Sequence, residues 1–241
     1  MHKDYDTVQF EEDLNYLGVH LENRQMDRFM EYYEILAEWN SFMNLTAIID
    51  FHDVMKKHFT DSLSIVKAYK LSDQSVIDIG TGAGFPGIPL KIAFPGIKVT
   101  LLDSLNKRVK FLEEVIRKLG LENIEAFHGR AEEYGRQDSF REKYDLCVSR
   151  AVANLSTLSE YCIPFVKTGG KFISYKSEKL TEELSAAEHA VSMLGGKVEG
   201  QCDFYLPGSH IYRNLLVVNK IKRTSGKFPR KAGIPAKDPL K

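Results

Sequence analysis

Cysteine is scarce in this chain of 241 residues, which contains three: Cys147, Cys162 and Cys202. An odd number without a Cys-x-x-Cys pair argues against a disulfide framework and against a zinc site. Long apolar runs are also missing. No stretch approaches the roughly 18 apolar residues of a membrane span, and the first residues lack the basic and apolar regions of a secretory signal. We therefore expect a cytoplasmic protein with reduced thiols, no metal and no membrane partner.

A net charge is absent as well, since 33 basic residues balance 33 acidic ones. The basic and acidic residues are nevertheless unevenly distributed along the chain. Residues 220–241 contain eight Lys and Arg residues and one acid, which leaves 25 basic and 32 acidic residues elsewhere. A basic terminal segment without an apolar helical face favours a polyanionic partner, RNA before membrane. The alternative is a solvated, disordered end.

The apolar pattern predicts helices first and alternating strands and helices afterwards. Apolar residues recur at helical spacing most clearly in the segment 23–40, and the resulting helix is predicted to end at Asn44. A second helix is predicted from His58 to Val66. From residue 75 we predict strands at 75–79, 99–102, 124–127, 146–149, 172–175, 198–205 and 215–221. Helices are predicted between them at 87–94, 105–119, 154–163 and 178–194, with Gly120, Gly169-Gly170 and Gly195-Gly196 ending helices or preceding strands.

This alternation implies right-handed βαβ crossovers. We therefore predict an α/β, Rossmann-like fold with a mostly parallel seven-stranded sheet, helices on both faces and an antiparallel last strand in an edge hairpin. The predicted organisation is an N-terminal helical subdomain (1–70), the α/β domain (71–222) and a basic C-terminal arm (223–241).

Three glycines at alternate positions, Gly80, Gly82 and Gly84, lie between the first predicted strand and the helix at 87–94. Glycine permits positive φ and lets backbone amides approach a ligand closely. In open α/β sheets ligands bind beyond the carboxyl ends of the strands, which is where this loop is expected. A dinucleotide-binding loop needs a third glycine where this chain has Phe85, so an NAD-linked oxidoreductase is disfavoured.

Two carboxylates indicate which nucleotide-like ligand this loop binds. Asp78 precedes the first glycine by two residues, where it would repel a pyrophosphate and attract the ammonium group of a methionine moiety. Because a buried carboxylate without partners is costly, a cation or hydrogen-bond donors must satisfy it. Asp103 ends the second predicted strand, where it can accept from both ribose hydroxyls of an adenosine or cap the helix near Ser104. Together these residues predict S-adenosylmethionine as the ligand.

The residues after the fourth predicted strand bear on the methyl acceptor. They read Ser149-Arg150-Ala151-Val152, without the proline and aromatic residues usual in enzymes that methylate exocyclic amines. Cys147 and Cys162 lie in apolar patterns and are predicted to pack in the core, so no nucleophile for pyrimidine C5 methylation is evident. Guanine N7 carries a lone pair and no proton, so it needs no general base. The chemistry permits N7, with catalysis resting on placement and charge stabilisation.

Several motifs resemble the RsmG/GidB family, which are bacterial 16S ribosomal RNA guanine-N7 methyltransferases. They are Trp39-Asn40, Asn44-Leu45-Thr46, the runs at 58–63, 78–89 and 149–153, Leu102-Asp103-Ser104 with Lys107-Arg108, and the ending at 229–240. The resemblance runs from about residue 10 to the end of the chain, with one small departure at Thr81, where many members have serine. It implies direct methyl transfer to 16S ribosomal RNA or the small ribosomal subunit, with no covalent intermediate.

The resemblance also implies that Gly80, Phe85, Ala131, Glu132 and Arg150 contact the donor. The loop argument adds Asp78, Gly82, Gly84 and Asp103. Arg150 and His58 are the candidate catalytic residues, with Arg150 pairing with the donor carboxylate or an RNA phosphate, and His58 and Asp61 helping to form the guanine pocket. The alternatives are a structural ion pair for Arg150, core packing for Phe85, a surface acid for Glu132 and a helix cap or surface contact for His58 and Asp61.

The candidate RNA contacts are all basic: Arg213, Lys227, Arg230, Lys231 and Lys237. Phe228 and several Pro and Gly residues interrupt these charges, which predicts an ordered arm. We expect the arm to lie apart from the donor site, because the glycine loop and Asp103 belong to the sheet core. We also expect a monomer. Two other functions stay open at this point: a methyltransferase for a small molecule or protein, and a non-catalytic donor-binding module that binds RNA.

Overall fold

The computed structural model describes residues 5–150, 153–177 and 181–240. The seven predicted strands are present, with bounds that differ from the prediction mainly at their first residues. They are β1 (Ser75–Ile79), β2 (Lys98–Asp103), β3 (Ile124–His128), β4 (Tyr144–Ser149), β5 (Val166–Lys176), β6 (Gly196–Tyr205) and β7 (Tyr212–Lys220).

Helices precede, separate and follow these strands. The first are α1 (Val8–Leu17), α2 (Asn23–Met43), α3 (Phe51–Val54), a π-helix (Met55–Thr60), α4 (Asp61–Leu63) and a 3₁₀ turn (Ser64–Lys67). Those that follow are α5 (Gly87–Ala93), α6 (Asn106–Lys118), α7 (Ala131–Tyr134), α8 (Leu155–Cys162), a 3₁₀ turn (Ile163–Phe165), α9 (Thr181–Met193) and α10 (Ile234–Lys237). The first three residues of the helix predicted at 178–194 lie outside the described part of the chain. No helix in the described ranges combines the length and the apolar character needed to cross a membrane.

The strands form one sheet in the order β3-β2-β1-β4-β5-β7-β6. β1 to β5 pair parallel with one another, and β7 pairs antiparallel with both β5 and β6. The predicted parallel sheet with an antiparallel last strand is therefore confirmed. β2 and β3 lie on one side of β1, whereas β4 and β5 lie on the other, so the strand order reverses between β1 and β4. Ligands of open α/β sheets bind at such a switch point.

Each face of the sheet supports its own apolar core, because successive strand residues point to opposite sides. Val76 belongs to the core that α1, α2, α5 and α6 cover, whereas Ile77 belongs to the core under α8 and α9. Helices thus lie on both faces, as predicted. Cys147 and Cys162 are completely buried in the second core, which confirms their packing role.

The helices before residue 70 share the first core with the sheet. Phe29 and Phe59 pack with ring centroids 5.0 Å apart, and Phe59 lies 6.0 Å from the ring of Phe85 in the glycine loop. The predicted end of α2 is confirmed at Asn44, which adopts the left-handed conformation with φ of 49°. The division at residue 70 stays a prediction, but these helices and the loop are packed as neighbours.

The helix predicted from His58 to Val66 differs from the structure in its type. It starts at Phe51 and contains the π-helix, in which the amide of Asp61 bonds back five residues to the carbonyl of Lys56. π turns often occur at functional sites because they redirect side chains within a continuous helix. Here the π-helix carries His58, and Asp61 follows at its end.

The start of β5 is a second difference. Gly169-Gly170 was expected to precede the strand at 172–175, but both glycines lie inside β5, which already begins at Val166. Gly169 has φ of 89°, and a Cβ on Gly170 would approach the carbonyl oxygen of Asp145 to 2.6 Å. The pairing of β4 with β5 shifts its register here. The glycines therefore mark an irregularity within the strand.

Candidate active site

The glycine loop leaves β1 with its backbone held close to the sheet. Gly80, Gly82 and Gly84 have φ of 68°, 63° and 94°, a region that side chains other than glycine adopt at a cost. A Cβ on Gly84 would lie 2.6 Å from both the hydroxyl of Tyr32 and a methyl group of Ile88. The loop conformation and the tight packing beneath it both require glycine.

Asp78 is completely buried beneath this loop. Its Oδ2 accepts from the hydroxyl of Thr81 at 2.7 Å and from the amide of Gly87 at 2.8 Å. The predicted need for hydrogen-bond donors is therefore met on one oxygen. Oδ1 has no hydrogen-bond partner among the described residues. Burial raises the pKa of Asp78 to about 7, although the two hydrogen bonds oppose that effect.

Asp103 links the glycine loop to the beginning of α6. Its Oδ2 accepts from the amide of Gly82 and its Oδ1 from the amide of Leu105, both at 2.9 Å. Arg108 lies 3.4 Å from Oδ2 and balances the charge. The helix cap considered for Asp103 is not formed, because its partner Leu105 precedes α6; Asp103 instead holds the turn between β2 and α6. Its contact with a ribose stays a prediction, for which Oδ1 retains a second lone pair.

A cavity of about 210 Å³ lies at the carboxyl ends of β1 and β2, and we call it the donor cavity after the predicted donor residues in its wall. Its walls include Gly80, Leu102, Ala131, Glu132, Leu158 and Tyr161. Three of the predicted donor residues, Gly80, Ala131 and Glu132, thus come together at one cavity. Glu132 is buried and accepts from the amide of Gly233 at 2.8 Å, so it is not a surface acid.

A larger cleft of about 690 Å³ shares Ala153 with the donor cavity, and we call it the acceptor cleft after the guanine pocket predicted from His58 and Asp61. Its walls include His58, Asp61, Arg150, Tyr175, Lys176 and Arg213. The structure therefore brings both candidate catalytic residues to one space, next to the donor cavity.

Arg150 occupies the centre of the contacts that form this cleft. Its guanidinium donates to Oδ2 of Asp61 at 2.9 Å, to the carbonyl of Lys57 at 3.2 Å and to Nδ1 of His58 at 3.1 Å. The guanidinium carbon also lies 5.1 Å from the ring centroid of Phe85, a cation–π distance. The ion pair considered as an alternative for Arg150 exists, and it fixes the side chain in the cleft wall.

His58 is held as a neutral imidazole. A guanidinium has no acceptor, so Nδ1 of His58 must present a lone pair to Arg150. The proton then resides on Nε2, which donates to the hydroxyl of Thr46 at 3.0 Å. Burial, and next the charge of Arg150, lower the pKa of His58 to about 3. The ring stacks on Phe85 with centroids 4.4 Å apart.

Asp61 lies between two arginines. Arg213 donates to Oδ1 at 2.7 Å while Arg150 donates to Oδ2, and Asp61 itself is 1% exposed. The three groups together hold a net positive charge at the cleft wall. His58 and Asp61 are therefore linked through Arg150 inside the protein, and the surface contact considered for them is not what the structure shows.

Sequence reasoning missed Lys176 and Tyr175, which end β5 at the cleft. The ammonium of Lys176 donates to the carbonyl of Ala153 and to Glu183, each at 2.9 Å. Tyr175 donates to the carbonyl of Ser62 at 2.8 Å. The available signal was their position, since polar residues at the carboxyl end of a parallel strand face the ligand edge. No group of three or more His, Cys, Asp or Glu side chains in the described ranges is arranged to hold a metal.

The basic arm is ordered and packs on the body. Arg230 forms a two-pronged ion pair with Glu160, which is completely buried. Lys227, Lys231 and Lys237 are exposed. The contact between Gly233 and Glu132 joins the arm to a predicted donor residue, which contradicts the expected separation of the arm. The reason is that the arm folds back over α7 and α8 after β7.

Comparison with known proteins agrees with this geometry. A family model described as GidB, rRNA small subunit methyltransferase G, matches residues 25–210. The chain is 53% identical over 236 residues to the Ribosomal RNA small subunit methyltransferase G of Lachnoclostridium phytofermentans, covering 98% of each.

Two solved structures share the fold at low sequence identity. Precorrin-6y C5,15-methyltransferase from Geobacter metallireducens is 16% identical with a TM-score of 0.50, over 67% of this chain and 86% of that one. TYW2 from M. jannaschii, solved in complex with AdoMet, is 16% identical with a TM-score of 0.51, over 65% and 73%. Both likenesses concern the fold alone, and they confirm the predicted Rossmann-like arrangement.

Proposed function

Since the chain belongs to the GidB family of rRNA small subunit methyltransferases G, we propose that it methylates N7 of a guanine in 16S ribosomal RNA with S-adenosylmethionine as donor. One observation carries the proposal most directly. The donor cavity and the acceptor cleft adjoin at Ala153, so a small ligand in one space and a nucleotide in the other would meet at the ligand edge of the sheet.

The residues present fit the donor. Oδ1 of Asp78 is a buried carboxylate oxygen without a partner among the described residues, which suits a cationic group such as the ammonium of a methionine moiety. Glu132 and Ala131 would contact the adenosine, and Asp103 the ribose. Bound S-adenosylmethionine would supply an electrophilic methyl group on a sulfonium sulfur.

The cleft suits an acceptor that does not have to lose a proton. His58 is neutral, its Nδ1 lone pair is directed at Arg150, and a pKa of about 3 makes it a poor base at neutral pH. Guanine N7 requires no base, so direct in-line transfer would depend on placement. Arg150 is fixed by Asp61, Lys57 and His58 and would position the nucleotide or balance a charge beside it.

RNA is the acceptor class that the charges favour. The cleft wall includes Lys57, Lys176 and Arg213, and the arm presents Lys227 and Lys231 to solvent. Ligand clefts of about 300–1,000 Å³ accommodate drug-sized molecules, and at about 690 Å³ this cleft is wide enough for one unstacked nucleotide. The lysines around it would contact the phosphates, whereas Arg213 is held by the buried Asp61.

The decisive experiment maps N7-methylguanine in 16S RNA from cells with and without this gene. We expect one modified guanine to lose its methyl group in the deletion strain and to regain it with the wild-type gene, but not with Arg150→Ala. Identical N7-methylguanine maps in both strains would refute the proposed acceptor. A titration of the purified protein with S-adenosylhomocysteine and with NAD tests the donor separately.

A further inference from the structure

The C-terminal arm is attached to the two helices that wall the donor cavity. α7 contributes Ala131 and Glu132 to that wall, and α8 contributes Leu158 and Tyr161. The arm contacts both helices, at Glu132 of α7 and at Thr157 and Glu160 of α8. An arm that served only as an RNA contact would not need this attachment.

The innermost contact is made by the arm backbone. The amide of Gly233 donates to Oε1 of Glu132 at 2.8 Å, and Glu132 is 4% exposed. This hydrogen bond fixes Oε1 of Glu132 and thereby sets the orientation of Oε2. Gly233 has φ of 81°, and this conformation aims its amide at Glu132.

Two contacts on α8 hold the arm in place on either side of Gly233. The hydroxyl of Thr157 donates to the carbonyl of Pro235 at 2.9 Å. Before Gly233, Arg230 donates through its amide and its guanidinium to Glu160, at 2.7 Å to each oxygen. Thr157 is 2% exposed and Glu160 is completely buried. Buried, charge-assisted contacts of this kind hold geometry more firmly than surface ion pairs do.

We infer that the arm is a structural part of the donor site, in which Gly233 positions the carboxylate of Glu132 while Thr157 and Glu160 hold Gly233. The inference rests on the proposed donor role of Glu132. These three residues are positioning residues that act through Glu132. The exposed lysines of the same arm would bind RNA, so one segment serves both substrates.

Three glycines allow a matched test, because a Cβ at each would meet nothing within 4 Å. Gly233→Ala strains the backbone that aims the amide at Glu132. Gly18 has a similar φ of 69°, so Gly18→Ala imposes a comparable backbone strain. Gly18 ends α1 and does not line the donor cavity. Gly226→Ala changes the same arm without a positive φ. The readouts are S-adenosylhomocysteine affinity by calorimetry and the melting temperature.

We expect Gly233→Ala to weaken S-adenosylhomocysteine binding about fivefold, the equivalent of one hydrogen bond, while Gly18→Ala and Gly226→Ala bind normally. Gly18→Ala should lose as much thermal stability as Gly233→Ala, which separates positioning from folding. Normal affinity in Gly233→Ala, or an equal loss in Gly18→Ala, would overturn the inference. A wild-type protein that fails to bind S-adenosylhomocysteine would instead overturn the proposed function.

A second pair of variants tests the contact from α8. Thr157→Val removes the hydroxyl that donates to Pro235 and keeps the shape, whereas Thr157→Ser keeps the hydroxyl. The KM for S-adenosylmethionine should rise about fivefold in the valine variant, with kcat at saturating donor retained, and return toward wild type in the serine variant. An equal rise in both variants would show that packing, not the hydrogen bond, is responsible, and would count against the inference.

Discussion

The imidazole of His58 stacks on the ring of Phe85, with centroids 4.4 Å apart and planes inclined by 17°. His58 belongs to the π-helix of the N-terminal segment, and Phe85 belongs to the glycine loop of the sheet. Arg150 contacts both rings, through Nδ1 of His58 and the face of Phe85. The acceptor cleft and the glycine loop therefore share these three stacked side chains, and a substitution in one should alter the other.

The low pKa of His58 predicts how stability depends on pH. Unfolding frees the imidazole to bind a proton with its ordinary pKa near 6.5, whereas the folded protein holds it at about 3. Its contribution to stability is therefore complete above pH 6.5 and is lost as the pH falls from 6.5 toward 3. Between pH 7.5 and 5 the wild type should lose about 2 kcal/mol of unfolding free energy relative to His58→Gln.

Urea unfolding of both proteins at the two pH values checks this prediction. The pH dependence of stability due to Asp78 runs in the opposite direction. Its raised pKa of about 7 makes its contribution to the unfolding free energy decline as the pH rises from 4 to 7. Comparing wild type with His58→Gln cancels that effect, since Asp78 is present in both. Parallel stability curves would show that His58 is not held neutral.

Arg150→Ala should reduce methyl transfer at least about 100-fold while the protein remains folded. The variant removes the donor to His58 Nδ1 and leaves Asp61 paired with Arg213 alone. Arg150→Lys should recover only part of the rate, because an ammonium cannot reproduce the fork that contacts Asp61, His58 and Lys57. Single-turnover rates and melting temperatures distinguish the outcomes. Near-normal turnover with normal RNA affinity would show that Arg150 serves only as the structural partner of Asp61.

Asp78 should make donor binding depend on pH. Its pKa of about 7 means that much of the carboxyl is protonated below neutrality. If Oδ1 pairs with the ammonium of the donor, S-adenosylhomocysteine affinity should fall up to about tenfold for each pH unit below 7. Asp78→Asn should bind weakly and without this dependence. Calorimetry from pH 5.5 to 8 is the measurement, and a flat profile in the wild type would exclude the pairing.

The exposed lysines of the arm should affect RNA binding and leave donor binding unchanged. Each lost phosphate contact reduces the slope of log affinity against log salt by roughly 0.7–0.9, so Lys227→Ala with Lys231→Ala should reduce it by roughly 1.4–1.8. Lys70 and Lys98, exposed near the opposite edge of the sheet, provide a matched double variant with the same loss of charge. An unchanged slope in the arm variant would place the RNA surface elsewhere.

Arg230 should behave differently from these lysines, although the sequence groups it with them. Its pairing with the buried Glu160 means that Arg230→Ala leaves a buried carboxylate without its partner, which costs about 3–5 kcal/mol. The loss should appear in thermal stability and donor affinity. A purely RNA-binding defect in Arg230→Ala would contradict the structure of the arm.

The strands and the donor loop could be predicted from sequence because their signals are local. Apolar alternation sets the strands, and the glycines with Asp78 and Asp103 lie within 26 residues of one another. The core role of Cys147 was predictable for the same reason. Local pattern also gave the end of α2 at Asn44.

The contacts that shape the acceptor cleft and the arm are not local. Arg213 pairs with Asp61 across 152 positions, and Arg230 with Glu160 across 70. A basic residue looks the same in sequence whether it faces RNA or a buried carboxylate, so charge alone assigned both arginines to RNA. The π-helix could not be predicted either, because one extra residue in a turn leaves the spacing of apolar residues around His58 close to that of an α-helix.

The π-helix has a consequence for how this chain tolerates change in length. Lys56, near its start, donates to the carbonyl of Pro207 at 2.7 Å, and Asp61, just beyond its end, binds Arg150. Each residue of a helix turns the chain by about 100°. A π turn takes up one extra residue and leaves the helix on either side in phase, so loss of a single residue between Lys56 and Asp61 would restore an ordinary α-helix with both anchors in place. The residues between them, His58 included, would then turn away from Arg150 and Phe85. Point substitutions can be absorbed here, whereas a one-codon deletion should abolish the site.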